Sequence, residues 1–164
     1  MGSGKSTIGK LLAEKIDFSF FDLDNCIEKI QNMSISEIFK THGELFFRKL
    51  EHQIFKELLA KNQNLVLSLG GGTPCYFDNH LLLKNKGVKA IYLKSSINTL
   101  FDRLQINPES RPVLLGLTAD AKKEFIAKQL FERSFYYHQA NYVLTTDGKS
   151  TAEISSEIEK LLVL

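Results

Sequence analysis

The first residues of the chain have the types and spacing of a phosphate-binding loop. They match the second half of the pattern G-x-x-x-x-G-K-[ST], and an amphipathic helical pattern follows. In such a loop small residues let backbone N–H groups point at phosphate oxygens, a lysine supplies a positive charge, and a hydroxyl ligates Mg²⁺. A Gly-Ser turn before a helix is the alternative. The predicted phosphate-binding residues are Gly2, Ser3, Gly4, Lys5, Ser6 and Thr7.

Two aspartates, Asp22 and Asp24, come at the end of the first predicted strand, over residues 18–23. Side chains alternate along a strand, so we expect both carboxylates on one face at the carboxyl edge of the sheet, where ligands of α/β proteins bind. One carboxylate near a metal ion and one near a substrate hydroxyl would divide the chemistry. A solvated strand end or a helix cap is the alternative.

Three consecutive glycines, Gly70, Gly71 and Gly72, follow an apolar strand predicted over residues 65–69. Each glycine loses more conformational entropy on folding than other residues do, so a triplet predicts close approach of the backbone to a ligand. A sharp loop before Pro74 is the alternative.

Arginine is rare in this chain: 4 of the 21 basic residues are Arg and the others are Lys. A guanidinium forms a bidentate fork with a carboxylate or phosphate, which an ammonium cannot do. Each arginine is therefore a candidate ligand-binding residue. They are Arg48, Arg103, Arg111 and Arg133.

Apolar periodicity predicts strands that alternate with helices, which is typical of a parallel sheet covered on both faces. The fold class is α/β, and one domain spans residues 1–164 because no linker or repeat divides them. Further strands are predicted at 88–93 and 142–145. After a first helix that contains residues 8–16, the predicted helices are 25–40, 43–61, 78–86, 96–105, 119–138 and 151–162.

Composition excludes several classes of protein. A net charge of +2 gives no general attraction to nucleic acid or membranes. No apolar run approaches the roughly 20 residues of a membrane span. Cys26 and Cys75 have no metal-ligand spacing and form no disulfide framework, which favours a reducing cytoplasm.

Six motifs in order resemble the shikimate kinase family: GSGKST, the D-x-D pair, GELFFR at 43–48, the glycine triplet, RPVL at 111–114, and Arg133 four residues before Tyr137. The resemblance covers essentially the whole chain. It implies a three-layer P-loop kinase fold with five parallel strands, and transfer of the γ-phosphoryl group of ATP to the 3-hydroxyl of shikimate. It also implies Mg²⁺ as cofactor and a monomer.

The same resemblance implies roles for single residues. Lys5 would contact the β- and γ-phosphates, Ser6 would hold Mg²⁺ with Asp22 reaching the ion through water, and Asp24 would bind the attacking hydroxyl. Arg48 and Arg133, helped by the glycine triplet, would bind the substrate carboxylate, with Glu51 orienting Arg48. Arg111 would neutralise the transferring group from a lid over residues 106–118, Arg103 would stack on adenine, and residues 25–61 would form the substrate-binding segment.

One departure from the family pattern concerns the sheet. The strand that precedes the phosphate loop, and the first glycine of the loop, do not occur in this sequence. We expect that strand to belong upstream of Met1, or the chain to be a truncated relative. The competing functions are another small-metabolite kinase, such as a gluconate kinase, and a non-catalytic binding module.

Overall fold

The computed structural model describes residues 2–61, 64–106 and 114–162. Arg111 and most of the predicted lid therefore lie outside the described residues. The helices and strands are α1 (Lys5–Lys15), β1 (Ser19–Asp22), α2 (Leu23–Gln31), α3 (Ile35–Ala60), β2 (Leu65–Ser68), α4 (Asn79–Leu82), β3 (Ile91–Lys94), α5 (Ile97–Ile106), α6 (Ala119–Tyr137), β4 (Tyr142–Thr145) and α7 (Thr151–Leu162).

The strands confirm the α/β class and the parallel pairing. β1 pairs with β2 in the register Ser19–Leu65 to Asp22–Ser68, and β3 pairs with β4 from Ile91–Tyr142 onward. In the described part of the chain these are two separate sheets of two strands, rather than one continuous sheet. A cavity of about 790 Å³ lies between β2 and β3, lined mainly by apolar side chains such as Val66, Leu67, Ile91 and Leu93.

Helices cover both faces of the strands. On one side α1 and α7 pack on β3 and β4 through Ile8, Leu12, Leu93, Leu144, Ile154 and Ile158. On the other side α2 and α3 bury a larger cluster that includes Leu23, Ile27, Ile38, Ile54 and Phe55. In the described residues no helix is long and apolar enough to cross a membrane.

The helical segment after β1 differs from its prediction. The predicted helix 25–40 is interrupted, because Asn32 has a left-handed backbone (φ 50°) and Ser34 starts a new helix. Ser34 and Glu37 form a reciprocal capping box, which satisfies two donors at the start of α3. The predicted boundary at residue 43 appears as a kink inside α3, where Gly43 has φ 81°.

Two other elements start or end at least three residues away from their predicted bounds. The helix predicted over 78–86 is the single turn α4, and Gly87, at φ 88°, lies in the turns that follow it. The strand predicted over 88–93 begins at Ile91 and ends at Lys94. Neither shift changes the order of the elements.

Candidate active site

The predicted phosphate loop leads directly into the N-terminus of α1. Gly2 and Gly4 have φ values of 70° and 82°, which side chains other than glycine rarely adopt. Gly4 caps α1 without a side-chain hydrogen bond. The first N–H groups of a helix have no intrahelical acceptor and lie at the positive end of its dipole, so they are suited to bind an anion.

Ser6 and Asp22 lie together beside this loop. The Ser6 hydroxyl donates a 2.7 Å hydrogen bond to Asp22 Oδ2, and the Ser68 hydroxyl is 3.4 Å from Ser6 Oγ. Hydroxyl and carboxylate oxygens are ligands that Mg²⁺ accepts, and Mg²⁺ usually takes only one or two carboxylates besides phosphates and water. Among the described residues no cluster of three or more His, Cys, Asp or Glu could hold a metal. The Ser6 hydroxyl and the Asp22 carboxylate fit Mg²⁺ whose other ligands are phosphate and water.

The two aspartates do not share a strand face, so that expectation is wrong. β1 ends at Asp22, whose carboxylate caps α2 by accepting hydrogen bonds from the N–H groups of Asp24 and Asn25 at 3.1 and 3.4 Å. Asp24 lies in the first turn of α2, because the helix begins directly after its N-cap residue, Asp22. The Asp24 carboxylate still reaches the glycine triplet: a Cβ atom on Gly70 would lie 3.1 Å from Asp24 Oδ1.

Arg48 is held by two glutamates of its own helix. Its Nη1 donates to Glu51 Oε2 at 2.9 Å and its Nε to Glu44 Oε1 at 3.3 Å. The Glu51 side chain is 1% exposed and also accepts a 2.6 Å hydrogen bond from the Thr73 hydroxyl. Burial alone would lower the pKa of Arg48, but the hydrogen bond and charge of Glu51 outweigh it, so the pKa is raised. Arg48 therefore stays charged.

The glycine triplet lies directly against this guanidinium. A Cβ atom on Gly72 would be 2.8 Å from Arg48 Nη2 and 3.0 Å from Nη1. A Cβ atom on Gly70 would meet Thr73 Oγ1 at 3.1 Å as well as Asp24. Side chains at these two positions would meet Asp24, Thr73 and Arg48. The close approach of the triplet to a ligand stays a prediction.

Arg133 reaches the same region from α6. Tyr137, one turn later, donates a 2.7 Å hydrogen bond to the Gly71 carbonyl. Burial raises the pKa of Tyr137, while a hydrogen bond and the charge of Arg133 oppose the shift. Burial also raises the pKa of the Cys75 thiol, opposed by the charges of Arg133 and then Arg48. Both arginines therefore lie near enough for their charges to act on Cys75.

Arg103 lies at the opposite end of the site, next to the phosphate loop. Its guanidinium approaches the Ser3 carbonyl at 3.4 Å, the Thr146 hydroxyl at 3.5 Å and the Thr146 carbonyl at 3.4 Å. These contacts join α5 to the loop and to the end of β4. The stacking of Arg103 on adenine stays a prediction.

Several residues of the site were not predicted from the sequence: Glu44, Thr73, Tyr76 and Asn79. They contact Arg48, Glu51 or each other, through side chains that come from α3 and from the segment after the triplet. Glu44 was visible only as a member of the GELFFR motif. The others carry no spacing signal, because their partners are distant in the sequence.

Comparison with known proteins identifies the family. The shikimate kinase family model matches residues 1–163. A shikimate kinase of Flavobacterium johnsoniae is 49% identical over 162 residues, which cover 99% of this chain and 94% of the relative. The crystal structure of shikimate kinase from Bacteroides thetaiotaomicron superposes with a TM-score of 0.92 at 34% identity, and covers 100% of this chain and 94% of that one.

A second solved structure, shikimate kinase from Acinetobacter baumannii in complex with shikimate, has a TM-score of 0.87 at 29% identity. It covers 99% of this chain and 88% of that one. The family match and the fold agree with each other. The chain belongs to the shikimate kinase family.

Proposed function

We propose that this chain transfers the γ-phosphoryl group of ATP to the 3-hydroxyl of shikimate. The observation that carries the proposal is the continuity of the site. Contacts run from Ser6 through Asp22 at the phosphate loop, past Asp24 and Gly70, to the arginine Arg48. A phosphate-binding helix terminus and a carboxylate-binding arginine thus lie at two ends of one site, as a substrate with both a hydroxyl and a carboxylate requires.

The ATP end consists of the loop from Gly2 to Thr7. Lys5 would neutralise the β- and γ-phosphates, and Arg103 and Arg111 would complete the nucleotide site. Ser6 and Asp22 would hold Mg²⁺, which supplies charge neutralisation on the phosphates. The other function considered, a gluconate-kinase-like activity, shares this end of the site and differs at the other.

The shikimate end consists of Asp24, the glycine triplet and the arginines Arg48 and Arg133. The substrate carboxylate would accept a fork of hydrogen bonds from the guanidinium groups. Its 3-hydroxyl would donate a hydrogen bond to the Asp24 carboxylate, which orients the oxygen toward the γ-phosphorus.

In the reaction the hydroxyl oxygen forms a bond to the γ-phosphorus while the bond from that phosphorus to the bridging oxygen breaks. The bridging oxygen keeps the electron pair and leaves as part of ADP. The hydroxyl proton passes to Asp24 or to the transferred phosphoryl group. Because the transition state of phosphoryl transfer is loose, alignment and charge neutralisation do most of the catalysis.

The test is release of ADP by the folded chain with Mg²⁺ and ATP, measured with shikimate, with gluconate and with neither. We expect release that depends on shikimate and on Mg²⁺. Asp24→Asn should retain binding of ATP and lower kcat about 10²-fold or more, the range typical of a positioned proton acceptor. Release with gluconate, or a nearly wild-type kcat for Asp24→Asn, would contradict the assignment.

A single domain, a lid over residues 106–118, a monomeric state and a cytoplasmic location also remain proposals. Sedimentation would test the monomer, and cell fractionation the location. A folded chain that binds shikimate without releasing ADP would instead support the non-catalytic module.

A further inference from the structure

We propose that Tyr76 is a positioning residue for shikimate binding. It holds the guanidinium of Arg48 in the orientation in which it meets the substrate carboxylate. The inference rests on the proposed role of Arg48. It deepens that role, since it states which side chain outside α3 sets the orientation of the arginine.

The segment that carries Tyr76 is attached to α3 at both of its ends. At the first end Thr73, which is fully buried, donates its hydroxyl to Glu51. At the second end Asn79, also fully buried, contacts His52 Nδ1 through Oδ1 at 2.7 Å and donates its Nδ2 to the Thr73 carbonyl at 2.8 Å. Residues 73–79 therefore form a short strap that cannot shift along α3 without breaking buried hydrogen bonds.

Tyr76 lies in the middle of this strap and covers Arg48. The guanidinium carbon of Arg48 is 4.1 Å from the centre of the Tyr76 ring, well within the range of a cation–π contact. The Tyr76 hydroxyl donates a 3.0 Å hydrogen bond to Glu44 Oε1, the same oxygen that accepts from Arg48 Nε. Tyr76 thus contacts the arginine directly and also holds one of its acceptors.

These contacts restrict the arginine in different directions. Glu51 and Glu44 hold its Nη1 and Nε by hydrogen bonds, whereas the Tyr76 ring, whose centre is 4.1 Å from Cζ, limits movement of the guanidinium toward the strap. An arginine side chain loses considerable rotamer freedom when it binds a ligand, and an arginine already held loses less. Tyr76 should therefore strengthen shikimate binding without contacting the transferred phosphoryl group.

The experiment compares Tyr76→Leu and Tyr76→Phe with the wild-type chain in steady-state kinetics. For Tyr76→Leu we expect the KM for shikimate to rise about three- to tenfold, with kcat and the KM for ATP changed less than about twofold. Tyr76→Phe keeps the ring and loses only the hydroxyl, so its KM should rise less. The matched control is Phe77→Leu, an exposed aromatic of the same strap that packs against His52.

A double-mutant cycle separates positioning from direct contact. In an Arg48→Gln background, Tyr76→Leu should change kcat/KM for shikimate by less than about twofold, because the group that it positions is gone. If Tyr76→Leu lowers kcat/KM for shikimate as much in the Arg48→Gln background as in the wild-type chain, Tyr76 acts on the substrate itself. If Phe77→Leu raises the KM for shikimate in the wild-type chain as much as Tyr76→Leu does, both changes simply loosen the strap. Either result would overturn the proposal.

The same cycle on the free energy of unfolding measures the contact of Tyr76 with Arg48 without any substrate. We expect the two substitutions to be non-additive there too, and additive values would contradict the contact. If the wild-type chain releases no ADP with shikimate, the proposed function fails, whereas this cycle still reports on the position of Arg48.

Discussion

A methyl group on Gly72 should displace Arg48 and weaken shikimate binding selectively. Gly72 has φ −91° and ψ −19°, a backbone conformation that alanine adopts without strain. The effect of Gly72→Ala on the entropy of the unfolded state would by itself stabilise the folded chain by about 0.4–1 kcal/mol. Any loss of stability or of shikimate binding must come from the new methyl group, which would lie 2.8, 3.0 and 3.1 Å from Nη2, Nη1 and Cζ of Arg48.

The magnitude follows from what holds the guanidinium. Ordinary contacts need about 3.5 Å or more, so Arg48 must move by roughly 0.7 Å, and this movement should strain its 2.9 Å hydrogen bond to Glu51. A hydrogen bond to a charged group contributes about 1.5–3 kcal/mol. After the entropic gain, the net loss is about 1–2 kcal/mol of unfolding free energy, or a Tm lower by about 2–8 °C for a chain of this size.

The assay is thermal unfolding together with KM values for both substrates. We expect the KM for shikimate to rise about tenfold, equivalent to roughly 1.4 kcal/mol, and the KM for ATP to stay within about twofold. Gly70→Ala is the matched comparison. Its methyl group meets Asp24 Oδ1 and Thr73 Oγ1 at 3.1 Å, so kcat should fall more than the KM for shikimate rises.

A Gly72→Ala chain with wild-type Tm and wild-type KM for shikimate would refute this reasoning. It would show that the guanidinium moves aside at no cost, and that the contacts with Glu51, Glu44 and Tyr76 do not fix it. A rise in both KM values by equal factors would refute it in a different way, because the change would then act on the whole fold.

Two further predictions concern a thiol and the cavity between the sheets. Burial raises the pKa of the Cys75 thiol, against the charges of Arg133 and Arg48. At pH 8 iodoacetamide should therefore alkylate Cys75 more slowly than it alkylates a free thiol, and raising the pH to 9.5 should speed the alkylation of Cys75. Shikimate, by neutralising the two arginines, should slow Cys75 and leave Cys26 unchanged in peptide mass spectrometry; equal slowing of both would argue against the site. A synthetic apolar peptide of about eight residues, added to the protein, should bind as a strand in the cavity between β2 and β3 and raise Tm. A peptide of the same length with alternating charged residues is its control, and equal Tm values would contradict the idea that this cavity accepts a strand.

Much of the fold could be predicted from apolar periodicity. The strand at 142–145 and the helix at 151–162 have the predicted bounds, because each is a short run with one clear period. The break before α3 was missed, although Ser34 and Glu37 have the spacing of a capping box. The apolar pattern continues across that break, since both helices bury their apolar residues in the same core.

The two ends of the candidate site differ in how far sequence could predict them. The phosphate loop is contiguous, so its residue types and its position before a helix are visible directly. The two aspartates were predicted to lie at the carboxyl end of the first strand, and Asp22 does end β1. The stated reason, that both side chains share one face of the strand, is wrong, because Asp24 lies in α2. Alternation along a strand applies only while the strand continues, and Asp22 ends it by capping α2.

The arginine end required contacts between side chains distant in the sequence. Arg48 and Glu51 are one helical turn apart, so their pairing could be predicted from the sequence. Thr73 and Tyr76 reach the same helix from 22 and 32 residues away along the chain, at their contacts with Glu51 and Glu44. Neither contact belongs to a repeating pattern, because helical and strand periodicity relate only residues that are close in the sequence. The surroundings of Arg48 therefore depend on the loop after the triplet as well as on its own helix.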